Sequence, residues 1–191
     1  MDFFVFEKYV GLRIWVNVED FSSRRVHLKK APLPTGLDPR LARAMINLAS
    51  AKSSVLDPFC GSGGILEEAN LLDLEYFGVD ISKRALEKAK INLGSDKNLF
   101  LADGFSWDKN VECVVSDLPY GKSSSLDCEL VVFVERFFSH FSNLTEKIVI
   151  CTPSNINIKD ILEKHHLKAL YSFNIYVHRS LTRQINVIRK K

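Results

Sequence analysis

The sequence predicts an α/β fold, a mostly parallel sheet with helices on both faces, and three observations carry that prediction. Short apolar runs alternate with amphipathic segments from Ser54 to Cys151. Residues 54–69 read as a buried strand ending at Asp57, a glycine turn over Gly61, Gly63 and Gly64, and a helix starting near Ile65. Four predicted strands end in a carboxylate, at Asp57, Asp80, Asp103 and Asp117, which lines four acids along one sheet edge.

A chain of 191 residues with 46% apolar and 26% charged residues can enclose a full core as one domain. No apolar run is long enough to span a membrane, and no basic region precedes the apolar residues of the start, so a cytoplasmic location is expected. Residues 3–6 and 12–16 read as two short strands around a turn at Tyr9-Val10-Gly11. Residues 1–22 carry these N-terminal strands, and residues 23–191 form the domain proper. Pro and Gly mark residues 31–37 as a loop, after which Asp38 and Pro39 open a helix as N-cap and first residue. Its apolar face is expected at Leu41, Ala44, Met45 and Leu48. A helix over 65–72, a strand over 76–80 and a helix over 83–93 follow. Strands over 99–103 and 111–117, a helix over 126–141 and a strand over 147–151 complete the alternation. The rhythm then breaks: a helix over 158–165 leads to strands over 171–177 and 184–188, and a loop this short makes the last two antiparallel.

Cys60, Cys113, Cys128 and Cys151 form no Cys-x-x-Cys pair, and buried reduced thiols with no metal are expected. The net charge of +3 conceals an asymmetry. Seven Lys or Arg and no acid lie between Lys164 and Lys191, leaving residues 1–163 at +3 minus 7, or −4. Arg24, Arg25, Lys29, Lys30, Arg40 and Arg43 form a second basic cluster around Asp38. Such patches suit a phosphate backbone, or are solvated surface.

Glycine in the turn permits positive φ and close approach of a ligand, and the helix start offers N–H groups to a carboxylate or phosphate. The dinucleotide pattern wants a third glycine where Leu66 stands, which disfavours a pyrophosphate; a tight turn with no ligand is the plain alternative. The strand-end acids are too many for capping alone. A carboxylate at Asp80 can accept from both ribose hydroxyls of an adenosine, Asp103 from an adenine amine, and Asp57 can orient an ammonium. Asp117-Leu118-Pro119-Tyr120-Gly121 reads as a stiffened loop presenting a slot for a flat amine. Tyr120 stacks the ring, while Asp117 and the Leu118 carbonyl accept the amine hydrogens.

Asp57-Pro-Phe-Cys-Gly-Ser-Gly-Gly, Gly78-Val-Asp-Ile, Ala102-Asp-Gly and Asp117-Leu-Pro-Tyr-Gly resemble the class I S-adenosylmethionine-dependent methyltransferases acting on exocyclic amines. Leu37-Asp-Pro-Arg-Leu-Ala-Arg-Ala and Tyr176-Val-His-Arg-Ser-Leu-Thr-Arg are similar to the archaeal and eukaryotic tRNA guanine-N2 methyltransferases of position 10, with the position 6 enzymes as relatives. The resemblance covers residues 25–190. It implies a Rossmann-like sheet of seven strands with the last antiparallel. It also implies S-adenosylmethionine held by Thr35, Asp57, Pro58, Gly61, Gly63, Asp80, Ile81, Asp103, Gly104 and Asp117, and catalysis by Asp117, Leu118, Pro119 and Tyr120. Members carry a THUMP domain and linker that grip tRNA, for which 191 residues leave no room. Residues 1–22 are then a candidate linker remnant, and either a separate THUMP-type protein supplies the grip, the basic patches do its work, or the nucleic-acid substrate is a different one. A small zinc-bearing activator subunit is a further candidate partner beside tRNA, with no membrane involved.

The expected reaction moves a methyl group to N2 of a guanosine that has left its stack. Asp117 rather than asparagine favours guanine, whose N1–H and N2–H are adjacent donors, whereas adenine and cytosine place an acceptor beside the amine. Arg40, Arg43, Arg179 and Arg183 are the candidates for RNA phosphate contacts. Methylation of another RNA or DNA amine, and a non-catalytic subunit of the same fold, are the alternatives. A protein glutamine substrate is disfavoured by Asp117 and the basic tail.

Overall fold

The computed structural model describes residues 2–13, 18–119, 126–179 and 181–191. Strands β1 (Asp2–Phe6) and β2 (Tyr9–Arg13) form a separate two-stranded sheet. The turn sits at Glu7 and Lys8, with Glu7 at φ 50°, so Tyr9, Val10 and Gly11 are strand rather than the expected turn. Gly11 lies opposite Phe4, whose ring stands 2.7 Å from where a Cβ would be. Phe3, Val5, Phe6 and Val10 are exposed on this hairpin. Residues 14–16 of the expected second strand lie outside the described residues.

Helix α1 (Pro39–Ala49) begins as the sequence predicts: the Asp38 carboxylate accepts from the Arg40 N–H at 2.9 Å, with Pro39 at the first position. Its buried residues are Pro39, Ala42, Arg43, Met45, Ile46 and Ala49, so of the expected face only Met45 is fully buried and the buried face is rotated from the rest. Leu41, Ala44 and Leu48 instead line a shallow groove against Phe173, Ile175 and Ile185.

The alternation continues through β3 (Ser54–Asp57), α2 (Gly64–Asn70), β4 (Glu75–Asp80), α3 (Lys83–Leu93) and β5 (Leu99–Leu101). It is completed by β6 (Cys113–Asp117), α4 (Leu126–Phe141), β7 (Lys147–Pro153), α5 (Lys159–Lys164), β8 (Leu167–His178) and β9 (Leu181–Lys190). The main sheet has seven strands in the order β5-β4-β3-β6-β7-β9-β8. β3 pairs in parallel with both β4 and β6, so the strand order reverses between β3 and β6, and the carboxyl ends of these two strands are where an open α/β sheet binds a ligand. β9 enters between β7 and β8 and is antiparallel to both.

Period-two alternation sends successive residues to two cores. Leu56, Val114, Ile148 and Ile150 pack with Phe137, Phe138 and Phe141 of α4. Val55, Val115 and Val149 pack with Met45 and Ile46 of α1 and Leu66 of α2. At the opposite sheet edge Glu112 accepts from the N–H groups of Lys52 (2.8 Å) and Ser53 (2.6 Å) and pairs with Lys147 at 2.8 Å. These partners outweigh its desolvation and hold its carboxyl well below the usual range.

The close helix-to-strand packing that a third glycine provides elsewhere is achieved here from the strand. A Cβ on Gly78 of β4 would lie 2.4 Å from Leu66 Cδ1 and 2.9 Å from Leu99 Cδ2. Gly78→Ala is expected to overpack this site and lower stability by roughly 1–3 kcal/mol, read by urea denaturation. An unchanged midpoint would show that α2 yields freely.

Candidate active site

Asp57 ends β3 and is buried. Its Oδ1 accepts from Ser116 Oγ at 2.7 Å and from the Phe59 N–H at 3.2 Å. Burial dominates these hydrogen bonds and raises its pKa from 3.8 to about 7, and the charges of Asp117 and Asp80 add to the rise. The charges of Asp117 and Asp80 thus lie close enough to disfavour ionisation of Asp57, an arrangement that a cationic ligand relieves.

Asp80 ends β4 and is tied to the glycine turn. Its Oδ2 accepts from the Gly61 N–H at 2.8 Å and its Oδ1 from the Ser82 N–H at 2.8 Å. Gly61 (φ 54°) and Gly63 (φ 81°) take the left-handed conformation, whereas Gly64 is the first residue of α2 with no positive φ. Ile81, beside Asp80, exposes 79% of its surface at this edge. Asp103 is not in a strand; β5 ends at Leu101, and Asp103 caps a single 3-10 turn by accepting from the Phe105 N–H at 3.0 Å. A Cβ on the next residue, Gly104, would meet the Pro58 carbonyl oxygen at 2.3 Å, so the loops after β3 and β5 touch there. Thr35 is exposed in the turn closed by the Gly36 N–H donating to the Leu33 carbonyl at 2.8 Å.

Asp117 ends β6 opposite Cys151 of β7. Its Oδ2 lies 3.3 Å from Arg183 Nη2, and the two side chains are only 18% and 13% exposed. The Leu118 N–H donates to the Cys151 carbonyl at 3.1 Å; Leu118 is buried and Pro119 exposed, fixing where the loop leaves the sheet. Tyr120 lies outside the described residues. Burial pushes the thiols of Cys60 and Cys151 well up, and that of Cys113 to about 12, so all three are protonated at neutral pH.

The basic residues divide. Arg40 at the start of α1 and Arg179 in the β8–β9 turn are exposed, and the topology puts both at the carboxyl edge of the sheet. Arg43 does not fit a phosphate contact: it is buried, with Nη2 2.9 Å from Glu68 Oε2. Arg24 Nε donates to Oε1 of the same fully buried Glu68 at 2.7 Å, and Lys29 pairs with Glu67. Much of the basic cluster therefore clasps the acids of α2 rather than facing outward. Arg43→Ala leaves Glu68 short of a partner and is expected to lower stability by roughly 3 kcal/mol with little effect on RNA affinity. Thermal melting and filter binding separate the two effects, and a variant of normal stability with weakened RNA binding would restore the phosphate role. Arg183 is likewise engaged with Asp117, inside the site.

Three features escaped the sequence reading. Ser116 orients Asp57, and alternation alone puts a polar side chain of β6 at a core position, which was a usable signal. Arg136 lays its guanidinium 3.8 Å over the Phe105 ring and within 3.6 Å of Asp103, beside the edge assigned to adenine. The Arg183–Asp117 pair joins residues 66 positions apart and had no local signal.

The RMKL-like methyltransferase domain model matches residues 24–184. The chain is 31% identical to the tRNA (guanine(10)-N2)-dimethyltransferase of Pyrococcus abyssi over 98% of this chain and 62% of that protein. It is 36% identical to the enzyme of the same name from Methanothermobacter thermautotrophicus over 92% and 55%. The chain thus spans little more than half the length of these curated relatives. Among solved structures it superposes on TrmN from Thermus thermophilus with a TM-score of 0.71 at 23% identity, covering 88% of this chain and 53% of that one, a likeness of fold. With its seven-strand sheet, its carboxylate row and this match over most of its length, the chain belongs to the RMKL-like methyltransferase domain family.

Proposed function

We propose that this protein transfers a methyl group from S-adenosylmethionine to the exocyclic N2 of a guanosine in tRNA. The observation that carries the reading is Asp117, set by β6 at the strand-order reversal, next to a row of carboxylates and followed by buried Leu118 and exposed Pro119.

The residues present fit the cofactor. Asp57, pressed by Asp80 and Asp117, favours an ammonium. Asp80 suits ribose hydroxyls, Asp103 suits the adenine amine, and Ile81 offers an apolar flank. Gly61 and Gly63 shape the turn through their left-handed backbone, Gly104 lets the loops after β3 and β5 meet, and Pro58 and Thr35 lie in the same loops. When bound, S-adenosylmethionine supplies an electrophilic methyl group on a sulfonium.

The protein's own contribution is orientation and charge. The lone pair of the guanine amine is delocalised into the ring, so the nitrogen attacks only when its hydrogens are held by acceptors. Asp117 and the Leu118 carbonyl serve as those acceptors, and Tyr120 stacks the ring. Positive charge developing on the nitrogen is stabilised by the Asp117 carboxylate, which takes the N–H proton as the N–C bond forms and passes it to solvent. Arg40 and Arg179 contact RNA phosphates, while a THUMP-type module or a zinc-bearing activator subunit adds the remaining grip.

The test is incubation with labelled S-adenosylmethionine and unmodified tRNA transcripts, followed by nucleoside analysis. Label in N2-methylguanosine or N2,N2-dimethylguanosine is expected. Label confined to another base, or none in tRNA, would overturn the reading.

A further inference from the structure

Among the described residues, two charged neighbours of Asp117 carry opposite charge and lie on opposite sides of it. Toward the cofactor side stands Asp57 of β3. On the far side stands Arg183, which belongs to the antiparallel strand β9, in register with Pro153 of β7 and Ile175 of β8. It reaches across the end of β7 to approach Asp117 at 3.3 Å. Both side chains are mostly enclosed, unlike an ordinary surface pair. Along the carboxyl edge the strand order therefore reads Asp80, Asp57, Asp117, Arg183, with acceptors first and a donor last.

Guanine presents a matching order on its Watson–Crick edge: the N2 amine and N1–H are donors, and O6 is an acceptor. The reacting amine must face the cofactor side, over β3 and β4. N1 and then O6 consequently extend toward β7 and β9. Asp117 meets the two donors, and the next charged group along the line is a guanidinium, which only donates. Adenine and cytosine place an acceptor directly beside the amine, against the Asp117 carboxylate.

Resting on the guanosine reading above, we propose that Arg183 is a specificity-determining residue. It donates to guanine O6, and its ion pair holds the Asp117 carboxylate in position for N1–H and N2–H. This replaces the RNA phosphate role that the sequence assigned to it.

The experiment compares acceptor RNA carrying guanosine with RNA carrying 6-thioguanosine at the methylated position. The analogue keeps both N–H donors and replaces O6 by a sulfur that accepts weakly. The wild-type chain is expected to lose roughly 10- to 100-fold in kcat/KM on the analogue, as for one charge-assisted hydrogen bond. Arg183→Ala should lose a similar factor on guanosine and treat the two RNAs within about threefold of each other, with cofactor affinity by calorimetry unchanged. Arg183→Lys, which keeps the charge but not the fork, should recover part of the rate. Equal use of both RNAs by the wild type, or full discrimination retained in Arg183→Ala, would overturn the contact. The wild-type comparison needs no variant, so a poorly folded Arg183→Ala protein leaves the test intact. If the wild type methylates no guanosine at N2, the acceptor reading itself falls, and the inference with it.

Discussion

Asp117→Ala is expected to lower kcat by at least roughly 10²- to 10³-fold, the range for removing one preorganised group that stabilises developing charge. S-adenosylmethionine binding should remain measurable by calorimetry, because Asp57, Asp80 and Asp103 are untouched. The variant also takes from Arg183 the carboxylate 3.3 Å away, in a site where that guanidinium is 13% exposed, so its melting temperature should fall. Asp117→Asn keeps the shape but turns an amide toward a base edge that offers donors, and it should be nearly as inactive. Full activity in Asp117→Ala would remove the proposed mechanism.

Asp57→Asn should separate stability from function. Below pH 3.8 the carboxyl is protonated in both folded and unfolded chains, so its burial carries no charge penalty. Between pH 3.8 and about 7 the unfolded chain ionises first, and wild-type stability falls as pH rises. Above about pH 7 the folded protein carries the full penalty, on the order of 4 kcal/mol by the linkage between pKa and free energy. Asparagine, which cannot ionise, should remove that slope and make the variant more stable than the wild type at pH 8. The same change removes the carboxylate proposed to partner the cofactor ammonium, and affinity should drop roughly 10- to 100-fold. Wild-type affinity should rise with pH through about 7, as Asp57 becomes ionised. Melting curves and titration calorimetry at pH 5 and pH 8 test both effects; a variant less stable at pH 8, with the slope retained, would show that Asp57 is not the titrating group.

The parallel sheet was legible because each strand is a short apolar run closed by a turn residue, and the same punctuation exposed the carboxylate row. Asp57, Asp80 and Asp117 stand at strand ends as expected, and only the cap at Asp103 is displaced beyond its strand. Where the sequence misled, long-range partners decided. Arg24, Lys29 and Arg43 look like a phosphate-binding cluster until Glu67 and Glu68 of α2 are brought against them. The turn expected at Gly11 dissolved because that glycine makes room for the Phe4 ring across the hairpin. Local pattern reports periodicity and punctuation, and it is silent about which charges meet across 25 or more residues.

The contact between Leu66 and Gly78 changes how the glycine turn should be searched for in other sequences. The two positions share one allotment of space, so what natural selection can hold constant is the sum of their volumes and not the identity of either. A large residue on the helix with glycine on the strand, or glycine on the helix with a larger residue on the strand, are two solutions to one packing problem. Substitutions at 66 and 78 should therefore covary across relatives and combine non-additively. A pattern that insists on the third glycine will pass over chains built like this one.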